Sequence, residues 1–144
     1  MPAKKFEFLE HTADAYVAAY GSNLAEAFEN SAIAMFETMT DTKQVRPSEE
    51  DCLEVMAQDE EDLLYSWLEA LLLKFEVDSR LYSRFRVESI NRTSEGFTLK
   101  AKMWGETYNK KRHKSRTDVK AVTYHRMEIL KADSGLTVKF ILDI

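Results

Sequence analysis

The chain has 144 residues, 44% of them hydrophobic, and 25 Asp and Glu against 20 Lys and Arg give a formal net charge of −5. That length and apolar content suit a single domain over 1–144 with a substantial core, and two prolines with four glycines leave little room for a linker. No apolar run reaches the roughly 18 residues of a membrane-spanning helix, the opening Met1-Pro2-Ala3-Lys4-Lys5-Phe6 lacks a secretory signal, and a lone Cys52 excludes an internal disulfide, so a cytoplasmic protein away from membranes is expected.

Lys5-Phe6-Glu7-Phe8-Leu9 alternates as a first strand, and Tyr16 to Tyr20, ended by Gly21, reads as a second, with His11 to Asp14 as their connection. Asn23 followed by Glu26 is a capping-box pattern. Leu24, Ala27, Phe28, Ser31, Ala32, Met35 and Met39 then share one face of a helix expected over about 24–39. Residues 41–51 are polar, contain Pro47 and predict a loop, and Cys52, Val55 and Ala57 suggest a short strand in which Cys52 is a small buried residue.

Asp59 is placed to cap a second helix whose first turn, Glu60-Glu61-Asp62, complements the helix dipole. Leu63, Leu64, Trp67, Leu68, Leu71, Leu72 and Phe75 give it a wide apolar stripe. From Tyr82 the period becomes two, predicting a hairpin that turns between Asn91 and Gly96. A polar segment over 105–118 follows, and two more strands, roughly 120–131 and 136–143, turn at Asp133-Ser134-Gly135. The expected fold is an α+β two-layer sandwich, a mainly antiparallel sheet with two principal helices packed on one face.

The distinctive acids stand at the two ends of this order. Asp14 and Asp143 each sit at the edge of a strand-like segment, where rigid backbone can place one carboxylate reproducibly beside another. With an oxygen of Ile144 they would make an oxygen-only donor set suited to Ca²⁺ or Mg²⁺ and ill suited to Zn²⁺. On residue chemistry alone, a turn-capping Asp14 and a plain terminal acid at Asp143 account for the pattern as well. Asp41 is a further acid to weigh, explained equally by turn chemistry after the first helix. His11 reads as a hydrogen-bonding support for the Asp14 loop. His125 shares strand parity with Met127 and Ile129 and is expected to be partly buried.

Charge divides along the chain: residues 1–79 carry 18 acids and 5 Lys or Arg, residues 80–144 carry 7 and 15. Seven of those cations fall between Lys100 and Arg116, interspersed with Trp104, Tyr108 and His113, a pattern open to a nucleic-acid surface or to a solvated strand edge. A lysine at 120, inside a Val/Ala/Val/Thr stretch, is exposed at a strand start or placed for function. Neither a glycine-rich phosphate loop nor a Ser-His-Asp pattern is present, so an autonomous enzyme is not expected.

Five blocks also carry a family resemblance: Phe8-Leu9-Glu10-His11-Thr12-Ala13-Asp14, then Ala25 to Asn30 with Met39-Thr40-Asp41-Thr42, Trp67 to Leu72, Val119 to His125, and Ile141-Leu142-Asp143-Ile144. In this order they resemble archease over essentially the whole chain. The departure is Ala15, where a larger aliphatic residue is more usual, and it bears on packing alone. The resemblance implies a protein cofactor of the tRNA-splicing RNA ligase, which joins a 3′-phosphate or 2′,3′-cyclic phosphate end to a 5′-hydroxyl. It implies that the chain promotes ligase guanylylation and turnover, broadens nucleotide use, and meets RNA only indirectly. It further implies a divalent cation, Ca²⁺ first and Mg²⁺ or Mn²⁺ as alternatives, at Asp14, Asp143 and Ile144, with Glu106, His113 and Lys120 near it. Two other classes stay open: a chaperone-like modulator of nucleic-acid enzymes, and a stand-alone RNA-binding module resting on Lys100 to Arg116.

Overall fold

In the computed structural model of the protein, which describes residues 4–9 and 14–144, the period-two segments pair into two antiparallel sheets. In chain order the elements are β1 (Phe6–Leu9), β2 (Ala15–Gly21), α1 (Leu24–Met39), a short 3-10 helix (Thr42–Gln44), β3 (Glu49–Ala57), α2 (Glu60–Asp78), β4 (Arg80–Thr93), β5 (Gly96–Thr107), β6 (Ala121–Ala132) and β7 (Gly135–Asp143). One sheet has the order β1-β2-β7-β6 and the other β3-β5-β4. The α+β class, the antiparallel pairing and the two helices follow the sequence periods. The strands divide between two sheets where one was expected, and each helix packs on strands of both. Among the described residues no helix is long and apolar enough to cross a membrane.

Local chemistry sets the helix ends. Asn23 Oδ1 accepts the Glu26 amide at 2.9 Å, and Glu26 Oε1 reaches back to the Ser22 amide at 2.7 Å. Asp59 Oδ1 caps α2 by accepting the Asp62 amide at 2.8 Å. Because α1 lies against β2 and β7 on one side and β4 on the other, burial exceeds a single stripe: Ala27, Phe28, Ser31, Ala32, Ala34, Met35 and Phe36 are all buried. Trp67 of α2 is fully buried, and its indole Nε1 donates to the Phe28 carbonyl at 3.0 Å. Phe36, Tyr82, Phe85 and Trp67 then join edge to face or stacked, with ring centroids 5.7–6.2 Å apart.

Two side-chain orientations differ from the expectation. β3 begins at Glu49, and its inward residues are Asp51, Leu53, Val55 and Ala57, so Cys52 faces solvent with Glu50, Glu54 and Met56. The parity is fixed by Asp51, which accepts the Tyr82 hydroxyl at 2.6 Å. His125 is exposed because β6 carries a bulge: Thr123 pairs with Ile141, but the next pair is Glu128 with Lys139, so β6 has three extra residues there. Arg126, within the bulge, has φ 58°, a left-handed conformation that a non-glycine residue seldom adopts.

Candidate functional site

The site is built where β2, β7 and β6 end together. Ala15 pairs with Leu142, and Asp143 pairs with Ala121. Asp14 directly precedes β2 and Asp143 is the last residue of β7, so the two acids stand at the same end of the sheet. The Lys120 amide donates to the Asp143 carbonyl at 2.7 Å, which fastens the start of β6 to the last pair of β7. Leu142, Val122 and Ala15 turn toward the core. By strand alternation Asp143, Ile141, Tyr16, Ala121 and Thr123 belong to the opposite face, away from the helices. Asp143 and Lys120 are exposed, Asp14 is half-buried, and the Ile144 side chain packs against the core. His11 lies outside the described residues.

α1 descends to this same end of the first sheet, because β2 climbs away from Asp14 and the helix returns. There Asp41 Oδ1 accepts the Lys43 amide at 3.1 Å and caps the 3-10 helix. Thr40, the C-cap of α1, is buried, and its hydroxyl has no hydrogen-bond partner among the described residues.

Glu106 and His113 make a separate cluster. His113 Nδ1 accepts the Asn109 amide at 2.8 Å, so Nε2 carries the proton and donates to Glu106 Oε2 at 2.8 Å. Glu106 also accepts the Arg46 amide at 2.8 Å and pairs with the Arg112 guanidinium. Burial alone would raise the Glu106 pKa, but the hydrogen bonds from Arg112, the Arg46 amide and His113 outweigh it and hold the carboxyl at about 2. Among the described residues no hydrogen bond or ion pair joins this cluster to Lys120 or Asp143. What links the two is chain: residues 108–120 run from β5 to β6, pinned to α1 where the Arg116 and Thr117 amides donate to Met39 and Thr38 at 2.9 and 3.1 Å.

The basic stretch is largely met by acids from the first half of the chain. On β5, Lys100 faces Glu54 at 3.6 Å, and Lys102 lies 4.0 Å from both Glu50 and Glu88. Arg112 pairs with Glu106, and Arg116 with Glu37 at 2.8 Å. Folding thus interleaves the two halves, which leaves Lys110, Lys111 and Lys114 as the cations of this stretch without an ion pair among the described residues. That is a thin basis for an electrostatic RNA surface.

Among the described residues, no group of three or more His, Cys, Asp and Glu is placed to hold a metal ion. Sequence reasoning missed the residues beside Asp14 and Asp143. Arg126 lies over the Tyr16 ring at 5.6 Å from its centroid. Tyr124 stacks on Tyr65 of α2 at 4.0 Å and 9°, with its hydroxyl 2.5 Å from Asp62 Oδ1. The only linear signal was the loss of alternation in Tyr124-His125-Arg126.

Comparison with known proteins adds an independent line. A model of the Archease protein family matches residues 6–144. "Protein archease" of Sulfurisphaera tokodaii is 45% identical over 141 residues, covering 98% of this chain and 99% of that protein. "Protein archease" of Methanothermobacter thermautotrophicus is also 45% identical, over the same shares. The solution structure of Methanobacterium thermoautotrophicum protein 1598 is 41% identical, with a TM-score of 0.83 and coverage of 97% of this chain and 99% of the other. A crystal structure of a Thermotoga maritima archease, described as a possible chaperone, is 20% identical with a TM-score of 0.64 over 96% of each chain, and shares the fold.

Proposed function

This chain belongs to the archease family, and from that premise we propose that it activates a tRNA-splicing RNA ligase by promoting guanylylation of the ligase, without catalysing a reaction itself. The observation that supports the reading most is the register that ends β2 and β7 together, with Asp14 directly before the pair of Ala15 and Leu142, Asp143 directly after it, and the Lys120 amide on the Asp143 carbonyl. Two carboxylates and the oxygens of Ile144 are a hard donor set, which fits Ca²⁺, with Mg²⁺ or Mn²⁺ as alternatives. A cation held there would supply positive charge to offset the negative charge that shifts within a reacting triphosphate.

The chain's own residues do the rest. Asp14 and Asp143 hold position because both lie at the ends of paired central strands, and Lys120 adds an exposed ammonium at the same end. The nucleophile belongs to the ligase, so this surface aligns and neutralises from outside. The test is ligase guanylylation, followed with labelled GTP, with and without the protein. Substoichiometric protein should restore multiple turnover to a stalled ligase, and Asp14→Ala with Asp143→Ala should abolish the effect. Full activation by that double variant would overturn the acid-site reading in favour of a chaperone-like one, and robust nucleotide hydrolysis by the pure chain would overturn the activator reading itself.

A further inference from the structure

The bulge in β6 does more than interrupt a strand. It is fastened on both sides: Tyr124 stacks on Tyr65 and bonds Asp62 of α2, while Arg126 lies over Tyr16 of β2. Between β6 and β2 runs β7, and Tyr16 and Thr123 flank Ile141 on it. Strands lie about 4.8 Å apart, so β6 and β2 stand about 10 Å apart, and the side chains of Arg126 and Tyr16 meet across β7. Ile141, flanked by Tyr16 and Thr123, is only 1% exposed although it faces away from the helices. Arg126 pivots on its left-handed φ of 58°, and strain of this kind persists where the surroundings fix it, often at functional sites.

The crossing brings a guanidinium to the carboxylate end. Tyr16 stands two residues from Asp14, and Ile141 two residues from Asp143, a separation of about 7 Å along each strand. The guanidinium carbon lies 5.6 Å from the Tyr16 ring centroid, a cation–π contact that uses none of its N–H donors in a hydrogen bond. Among the described residues, no hydrogen bond or ion pair occupies those donors. Fixed charge, a fork of donors and a neighbouring cation site on one rigid sheet face make a receptor for an oxyanion too wide for either alone.

We infer that Arg126 and the Asp14–Asp143 cation site jointly hold a phosphate group, with the cation and the guanidinium on opposite sides of it. The inference rests on the cation reading of the previous section and adds the ligand class to it. Tyr16 is a positioning residue here: it orients Arg126 and does not touch the anion. The lysine at the same end, Lys120, is placed to screen further phosphates of a longer chain.

The test uses the full-length protein with Mg²⁺ in excess, titrated calorimetrically with inorganic triphosphate, and compares wild type with Arg126→Met and Arg126→Lys. Methionine keeps an unbranched side chain of comparable bulk and removes every donor, whereas lysine keeps the charge and loses the fork. Wild type should bind triphosphate only when Mg²⁺ is present. Arg126→Met should weaken binding by roughly tenfold to a hundredfold, the range for losing charge-assisted hydrogen bonds, with Arg126→Lys between them. A separate Tb³⁺ titration, read by luminescence sensitised through Tyr16, reports the cation site and should stay within about threefold of wild type in both variants. Triphosphate binding unchanged in Arg126→Met, absent in wild type that binds Tb³⁺, or independent of Mg²⁺ overturns the joint site. Failure of wild type to bind Tb³⁺ instead overturns the cation reading beneath it. If circular dichroism shows Arg126→Met unfolded, Arg126→Lys decides alone, and wild-type affinity in that variant overturns the inference.

Discussion

Glu106 Oε2 lies 2.8 Å from His113 Nε2, and the other ring nitrogen decides the direction of that bond, since Nδ1 already accepts the Asn109 amide. The carboxylate is thus held by a neutral imidazole, a guanidinium and an amide, and its pKa falls from an ordinary 4.5 to about 2. A folded-state pKa below the unfolded value gives stability that is complete above pH ~4.5 and disappears as the pH falls toward 2. Thermal midpoints should decline over that window in the wild type. Glu106→Gln should destabilise the domain at neutral pH by about 1–3 kcal/mol, for the donors left without their charged acceptor, and so lower the midpoint there while flattening the acid limb.

The Trp67 indole fills the space between the helices and donates to Phe28 at 3.0 Å. Trp67→Ala should cost about 3–5 kcal/mol, read from urea unfolding, through lost burial and an unfilled cavity. Trp67→Phe should cost less in packing while leaving the Phe28 carbonyl without its donor.

Asp143 and Lys120 are exposed and touch each other through backbone atoms alone. Asp143→Ala and Lys120→Ala should each stay within about 0.5 kcal/mol of wild type by thermal unfolding. Ligase activation should nonetheless fall steeply in both, and Asp143→Ala should also lose cation binding by calorimetry. Melting of either variant as severe as that of Trp67→Ala would recast the pair as structural.

Gly105 lies in β5 opposite Tyr82, where an added Cβ would stand 1.8 Å from the Leu81 carbonyl oxygen. Backbone cannot yield there as a flexible side chain would. Gly105→Ala should destabilise by about 1–3 kcal/mol or more and disturb the neighbouring Glu106, which the pH profile of the midpoint would reveal.

Element boundaries were legible where local chemistry sets them. Asn23 and Asp59 cap their helices through their own side chains, so α1 and α2 begin where short-range patterns place them. Partnership among strands was not legible, because a period of two states which residues share a face and says nothing about the neighbour. Hence one sheet was expected where two exist. Cys52 and His125 show the same limit at single residues: the first depends on Asp51 meeting Tyr82 from β4, the second on a bulge that inverts the count along β6. For the site, chemistry alone left Asp14 and Asp143 open to bland readings, and the family resemblance tied them together. Arg126 reaches Tyr16 only across an intervening strand, a relation with no trace in linear spacing.

The pairing of Ala15 with Leu142 joins positions 127 apart in the chain, whereas β4 and β5 meet across the tight turn at Ser94 and Glu95. Closing so long a loop exacts a larger entropic penalty and delays the contact, so the hairpin can nucleate early while the centre of the first sheet forms late. The end of the sheet that carries Asp14 and Asp143 is completed only at that late step. On the proposed cation reading, an ion held at that end would stabilise the native state without stabilising the folding transition state, so it should lengthen the lifetime of the folded chain by slowing unfolding and leave the folding rate untouched.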